Sequence, residues 1–383
     1  MPSPVDALPI APAHAATVTT QADIIPPPLK PAPLRRGRGA RSNKSGRYET
    51  GDRTAFDDGW ETLASAEPFP TTVREERART IISRNDSPDI SFDQSINPYR
   101  GCEHGCSYCY ARPTHAYLGH SPGLDFETEL YAKVNAAERL EEELSRPGYR
   151  PKTIALGAVT DPYQPIERGY EISRRILEVL DRTNHPVGIV TKSALVVRDI
   201  DILARMAERG LVKVALSITT LDRTVARKME PRASTPVRRL KAIRQLTDAG
   251  IPATVMTAPI IPGLNDHEIE AILSEGRQHG ADSAAYVLLR LPLELKDLFR
   301  EWLATEFPDR ANRVIKLLRD MHGGRDYTSE FGVRQRGTGP FAKLIARRFR
   351  LAITRLGLNE RNLKLRTDLF TPPSGRGHQL PLL

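Results

Sequence analysis

From about Phe92 to Leu289, short runs of β-branched and aliphatic residues alternate with longer stretches in which apolar side chains recur every three to four positions. The short runs predict strands at Asp93–Asn97, Thr153–Leu156, Val187–Thr191, Val212–Ile218, Ala253–Ala258 and Ala284–Leu289. They read as near-continuously apolar, as parallel strands covered on both faces do. The stretches between them predict helices. One opens at Thr235 and Pro236, turns Leu240, Ile243 and Leu246 to the core and stops at Gly250. Another begins at Asn265, with Glu268 three residues on, a capping-box pattern in which Asn stands where Ser or Thr is usual. Repeated βα units joined by right-handed crossovers form a parallel sheet that either lies open or curls into a barrel. Beyond Leu289 the period is helical, with candidates at Lys296–Phe307, Asp309–Met321 and Phe341–Leu356.

Before Phe92 the periodicity is lost. Residues 1 to about 34 are rich in Pro and Ala, and a run of Arg, Gly, Ser and Asn follows to Arg47. The expected organisation is a disordered basic tail over 1–55, a linker over 56–90, an α/β core over 91–290 and a helical basic extension over 291–383. No 20–50-residue repeat is visible, so a solenoid or propeller is excluded. Charge adds one feature to this picture. The chain of 383 residues carries a formal charge of +9, yet residues 1–53 hold eight Lys/Arg against four Asp/Glu and residues 341–383 nine against two, leaving 39 against 41 between. The basic excess therefore sits at the ends, where Arg36–Arg41 and the run Arg347, Arg348, Arg350 and Arg355 suit either solvation or the phosphates of a nucleic acid. No run approaches the roughly 20 apolar residues that span a bilayer, and the first thirty residues lack the pattern of an export signal, so a cytoplasmic location is expected.

All three cysteines fall in one short stretch, Cys102, Cys106 and Cys109. Three thiols in one loop and none elsewhere cannot staple a secreted fold, and soft thiolates select zinc or iron–sulfur. A closed zinc site wants a fourth ligand, for which His104 and His115 are the local candidates; a four-iron cluster on three thiolates leaves one iron open. Gly101 and Gly105 let the loop wrap closely, and Tyr108 is placed to shield the last cysteine.

The spacing Cys102-x3-Cys106-x2-Cys109, with an aromatic just before the last cysteine and a strand before the first, resembles the radical SAM superfamily. The segments Asn97–Cys102, Thr160–Glu167, Thr191–Ser193, Ser217–Thr220 and Glu230–Pro231 are similar to its spore-photoproduct-lyase-like, DNA-repair-photolyase-related group and to an uncharacterised bacterial branch of it. The resemblance spans roughly residues 90–290. It implies a partial (β/α)6 TIM-type barrel with the helical extension behind it, and a [4Fe–4S] cluster held by Cys102, Cys106 and Cys109. S-adenosylmethionine would chelate the open iron and be cleaved reductively to a 5′-deoxyadenosyl radical that abstracts hydrogen from a substrate. An external one-electron donor of flavodoxin or ferredoxin type would supply the electron. Residues just after the strands become candidates for the cofactor, because barrel sites lie at that rim. Thr160 and Asp161 would face the methionine ammonium and Lys192 its carboxylate. Ser217 and Thr219 would hold the ribose, and Ile260 with Gly263 would seat the adenine.

This chain departs from spore photoproduct lyase in having no further cysteine to return a hydrogen, and Tyr163 and Tyr286 are the nearby tyrosines at strand ends. The same lack excludes a second cysteine-ligated cluster. The expected enzyme acts on a bulky substrate for which nucleic acid is one class. The alternatives are a zinc- or cluster-stabilised nucleic-acid-binding protein without radical chemistry, and radical modification of a peptide or other macromolecule.

Overall fold

Where the sequence alternates, the chain builds one curved sheet. The computed structural model describes residues 37–49, 70–361 and 363–373. Strands β1 (Gln94–Ile96), β2 (Ile154–Leu156), β3 (Val187–Thr191), β4 (Val212–Ser217), β5 (Ala253–Ile260) and β6 (Ser283–Leu288) lie parallel in chain order, and Ile82–Arg84 adds an antiparallel strand outside β1. A single cavity is lined by residues of β2, β3, β4, β5 and β6. Strands four neighbours apart in a flat sheet would stand about 19 Å from each other, so the sheet curls around that cavity as a partial (β/α)6 barrel.

The expected strands all form, and the structure refines how they are covered. Register pairs Val187 with Val212 and Ile189 with Val214, so these aliphatic rows align on the outer face and are fully buried. The inner row, Gly188, Val190, Lys213, Ala215, Thr254 and Met256, lines the cavity. The strands are thus buried on one face and border open space on the other, and Gly188 and Ala215 in the inner row leave room for it.

The outer face is covered by α1 (Ala136–Leu144), α2 (Ile172–Arg182), α3 (Ile200–Glu208), α4 (Pro236–Asp248) and α5 (Ile269–Gln278). Helix α4 forms as its sequence dictates. Pro236 occupies the first turn, Leu240, Ile243 and Leu246 are buried, and Gly250 takes the left-handed conformation just past the end. The capping box at Asn265 does not form. The Asn265 Nδ2 donates to the carbonyls of Thr219 and Pro259, and Glu268 accepts from Thr220 Oγ1 and the Leu221 amide. Both side chains are drawn away from the helix start to tie the loops after β4 and β5 together.

Helices α6 (Leu295–Glu306), α7 (Pro308–Met321) and α8 (Gly339–Leu356) cover the free edge of the barrel. Asn359 exchanges two hydrogen bonds with the Ala284 backbone at 2.7 and 3.0 Å, and Leu288 donates to the Gln335 carbonyl at 2.9 Å. The opposite end of the sheet is reached by the Asp89–Arg334 pair, in which Arg334 Nε and Nη2 both bind the carboxylate. That bidentate contact joins the segment ahead of β1 to the one ahead of α8 across the opening of the partial barrel.

The N-terminal region differs from the expected disordered tail wherever it is described. Residues 37–49 run over the barrel rather than into solvent: Arg41 pairs with Glu306, Ser42 bonds Glu301 at 2.6 Å and Arg47 pairs with Glu294 at 2.8 Å. Arg38 and Arg41 are thereby spent on internal contacts and unavailable to a nucleic-acid strand. Arg36 and the rest of the 1–55 region lie outside the described residues.

His185, just before β3, is fully buried between Tyr149 and Phe370, and burial pushes its imidazole down to about 4. It folds neutral while the unfolded chain protonates near 6.5. Stability is therefore expected to fall as pH drops from about 6.5 towards 4, by roughly 3 kcal/mol from this group. Comparing urea midpoints of the protein and His185→Gln at pH 7 and pH 4.5 checks it: the variant should lose less between the two.

Candidate cluster and cofactor site

The cysteine loop leaves β1 through the short strand Tyr99–Arg100 and crosses the top of the barrel. Cys102, Cys106 and Cys109 all line the same cavity of about 570 Å³, within the range of about 300–1,000 Å³ that small-molecule sites occupy. Burial pushes Cys106 up to about 12, against the opposing pull of Lys192, and raises Cys102 and Cys109 too. These thiols need an electropositive partner to ionise, which an iron centre supplies.

Two buried ion pairs hold the loop. Arg112 grips the Cys106 carbonyl through Nε at 3.0 Å and Nη2 at 2.9 Å, and pairs with Glu127 at 2.5 Å. Glu127 also accepts the amides of Gly39 and Ala40 at 3.0 and 2.8 Å. At the other end, Glu230 accepts from Tyr108, Thr219 and Arg239, while Arg239 Nη1 binds the Ser217 carbonyl at 2.7 Å. Tyr108 thus fastens the loop to the end of β4 instead of merely shielding it. Charges of this kind are retained in a core only when fully bonded.

The segment 38–40 and the loop approach as closely as glycine permits. A Cβ on Gly39 would lie 1.7 Å from the Gly105 carbonyl oxygen, and one on Gly105, whose φ is +66°, would lie 2.6 Å from Glu127 Oε2. Gly105 is therefore needed for its conformation and for the crowding by protein neighbours.

Of the residues expected around the cofactor, Thr160, Asp161, Lys192 and Ser217 line the cavity. Thr160 gives its hydroxyl to the Tyr99 carbonyl at 3.0 Å. Asp161 is the more committed of the two. Burial opposes its charge, but His104 at 3.3 Å, Thr191 Oγ1 at 2.6 Å and the Lys192 amide at 2.7 Å bring it down to about 2. With the Tyr163 amide added, its acceptor positions are filled, so it shapes the β2 and β3 loops. Lys192 is different: its Nζ stands 5.6 Å over the Tyr108 ring and makes no ion pair among the described residues.

Thr219, Ile260 and Gly263 do not reach the cavity. Thr219 is buried with its hydroxyl on Glu230. Ile260 is core, and Gly263 turns against Leu317 and Val314 of α7. Proximity to a strand end in sequence misplaced them: Ile260 closes β5 inside the core, and the loops that follow β4 and β5 turn Thr219 to Glu230 and Gly263 to α7. The cavity wall there is made by Met256, Ala258 and Pro259. Tyr163 is likewise buried, bonded to Asp199 at 3.1 Å, whereas Tyr286 lines the cavity. Residues that sequence reasoning passed over are Arg112, Glu127 and Arg239. A charged residue inside an apolar helix pattern, as Arg239 is beside Leu240 and Ile243, was the available signal.

The donor set separates the two metals. His104 is engaged by Asp161, and His115 bonds the Glu129 carbonyl at 2.9 Å outside the cavity. Among the described residues no three His, Cys, Asp or Glu side chains are arranged to hold one metal ion. Three thiols around one cavity, two buried and that of Cys109 half-buried, without a fourth protein ligand fit a larger group with an open coordination position. The Radical SAM superfamily model matches residues 96–275, the stretch that builds β1 to α5.

The chain belongs to the radical SAM superfamily. An uncharacterised protein of Mycobacterium tuberculosis is 38% identical over 232 residues, 60% of this chain and 68% of the relative. A radical SAM Nα-GlyT isomerase of Pseudomonas phage M6 is 26% identical over 200 residues, 49% of this chain and 39% of that one. Among solved structures, spore photoproduct lyase complexed with a dinucleoside spore photoproduct superposes with a TM-score of 0.56 at 19% identity, over 75% of this chain and 80% of that one, which shows a shared fold. A radical SAM protein works with a [4Fe–4S] cluster and S-adenosylmethionine and draws its electron from an external donor. No described helix is long and apolar enough to cross a membrane.

Proposed function

We propose that this radical SAM protein cleaves S-adenosylmethionine reductively and abstracts hydrogen from a nucleic-acid substrate, with a flavodoxin- or ferredoxin-type donor. The observation that carries the reading is the convergence of Cys102, Cys106, Cys109 and the unpaired Lys192 on one cavity. The cysteines would hold the cluster, which when bound supplies the electron that turns S-adenosylmethionine into methionine and a 5′-deoxyadenosyl radical. The rest falls to this chain's side chains. Lys192, fixed by its amide on Asp161, would bind the methionine carboxylate. Met256, Ala258 and Pro259 offer an apolar wall for adenine, and Thr160 and Ser217 stand at the polar rim. Arg112 and Glu230 hold the loop at fixed height over the barrel.

A nucleic-acid substrate is supported by exposed Arg347, Arg350 and Arg355 on α8 and by the fold shared with spore photoproduct lyase complexed with a dinucleoside spore photoproduct. Arg348 is excluded from that face, being paired with Glu270 at 2.6 Å.

Anaerobic reconstitution followed by iron and sulfide analysis, then dithionite and S-adenosylmethionine with detection of 5′-deoxyadenosine, tests the radical reading. About four irons per chain and 5′-deoxyadenosine are expected. Stoichiometric zinc, or a cluster that never cleaves the cofactor, would return the protein to a structural role for its cysteines. Lys192→Met should weaken S-adenosylmethionine about 10- to 150-fold in equilibrium dialysis, the loss of one hydrogen bond to a charged group of roughly 1.5–3 kcal/mol.

A further inference from the structure

We infer that Arg290 and Arg336 form a phosphate clamp on the cavity wall, which grips a backbone phosphodiester of the substrate strand. The inference rests on the radical reading of the same cavity and adds the chemistry by which its substrate is held.

The cavity carries an uncompensated positive charge. Its two carboxylates are both occupied, Asp161 by His104 and backbone amides and Asp89 by Arg334. Lys192, Lys213, Arg290 and Arg336 also line it, and no hydrogen bond or ion pair engages their side chains among the described residues. Lys192 sits by Cys106 and belongs with the cofactor. The two arginines are placed differently. Arg290 follows β6 and lies over the Tyr110 ring at 4.8 Å, and Arg336 lies over the Tyr286 ring at 4.2 Å. Tyr110 is itself fixed by its hydroxyl on the Ala158 carbonyl.

Arg290 Nε is buried and has no hydrogen-bond partner. Arg41 and Arg139 also hold a buried Nε without a partner, but of the three only Arg290 lines the cavity. Buried charged donors are rarely left so, because the unmade bond costs more than a neutral one. An incoming oxyanion would remove that cost. A guanidinium held over an aromatic ring is a preorganised fork, and a fork matches phosphate oxygens two at a time. Lys213 adds a third cation at the inner wall. The remaining wall, with Ile90, Phe92, Val190 and Val287, is apolar and suits a base attached to that phosphate.

Full-length, cluster-reconstituted protein titrated with labelled single-stranded DNA and RNA, read by anisotropy across a salt series, tests the clamp. Arg290→Gln and Arg336→Gln should each weaken binding about tenfold and shallow the log–log salt slope by about 0.7. Arg238→Gln, an exposed arginine on α4 with no part in the proposed site, should leave affinity within about twofold and separate the clamp from a general charge effect. S-adenosylmethionine affinity is measured on the same samples. Unchanged strand binding in both clamp variants, or no strand binding by the unsubstituted protein, would overturn the clamp. So would a loss of cofactor affinity in place of strand affinity, which would assign the arginines to S-adenosylmethionine. Formation of 5′-deoxyadenosine by the unsubstituted protein without substrate reports on the radical reading separately, so either can fail alone.

Discussion

Cys106→Ala abolishes 5′-deoxyadenosine formation and drops iron from about four to below about one per chain, because a three-thiolate cluster has no ligand to spare. No other cysteine exists to substitute, and His104, the nearest alternative donor, is held by Asp161. Tyr108→Phe supplies the contrast. It removes one hydrogen bond to Glu230 but no ligand, so cluster content should persist while the cluster bleaches faster in air. Equal losses in the two variants, by iron analysis and visible absorbance, would mean that the cysteines act through the fold and not as ligands.

Glu127→Ala is the second large effect, and it concerns stability. Its carboxylate is fully buried, paired with Arg112 and bonded to the Gly39 and Ala40 amides. Removing it leaves the Arg112 charge unpaired in the core, a change that typically costs about 3–5 kcal/mol. Urea unfolding should show that loss, and Glu127→Gln a smaller one. Gly39→Ala probes the same contact from the other side, since its Cβ would collide with the Gly105 carbonyl while the ion pair stays intact. Cluster loss in Gly39→Ala, with global stability reduced by only about 1–3 kcal/mol, would show that the segment before the barrel steadies the cysteine loop.

Lys192→Met and the clamp variants divide the cavity between cofactor and substrate. Reading both affinities on each variant shows where one ends and the other begins, which the lining residues alone leave undivided.

The sequence was most legible where chemistry or periodicity is local. Three cysteines at fixed spacing identify their own role without neighbours, and β2 to β6 are each written in a few mostly apolar residues, whereas β1 is Gln94, Ser95 and Ile96. Helix α4 likewise follows from Pro236, Gly250 and the spacing between them. Position relative to a strand end was a weaker guide. It brought Thr160, Asp161, Lys192 and Ser217 to the cavity but sent Thr219, Ile260 and Gly263 to the core or the outer layer. Where the chain turns after a strand is set by its tertiary partners, Glu230 for Thr219 and α7 for Gly263, and composition carries no record of them.

What tertiary structure alone decided was the pairing of charges. Arg112 with Glu127 and Arg239 with Glu230 are 15 and 9 residues apart, and the Gly39 amide reaches Glu127 across 88 residues. Apart from Arg239's place in an apolar helix pattern, nothing in the sequence distinguishes these from solvated charges, so the basic segment around Arg38 read as a free arm. Only the fold brings a carboxylate beneath it, because burying Glu127 obliges the chain to supply every donor that water would have given. The same reasoning, run on the donors left without partners, singles out Arg290 in the cavity wall.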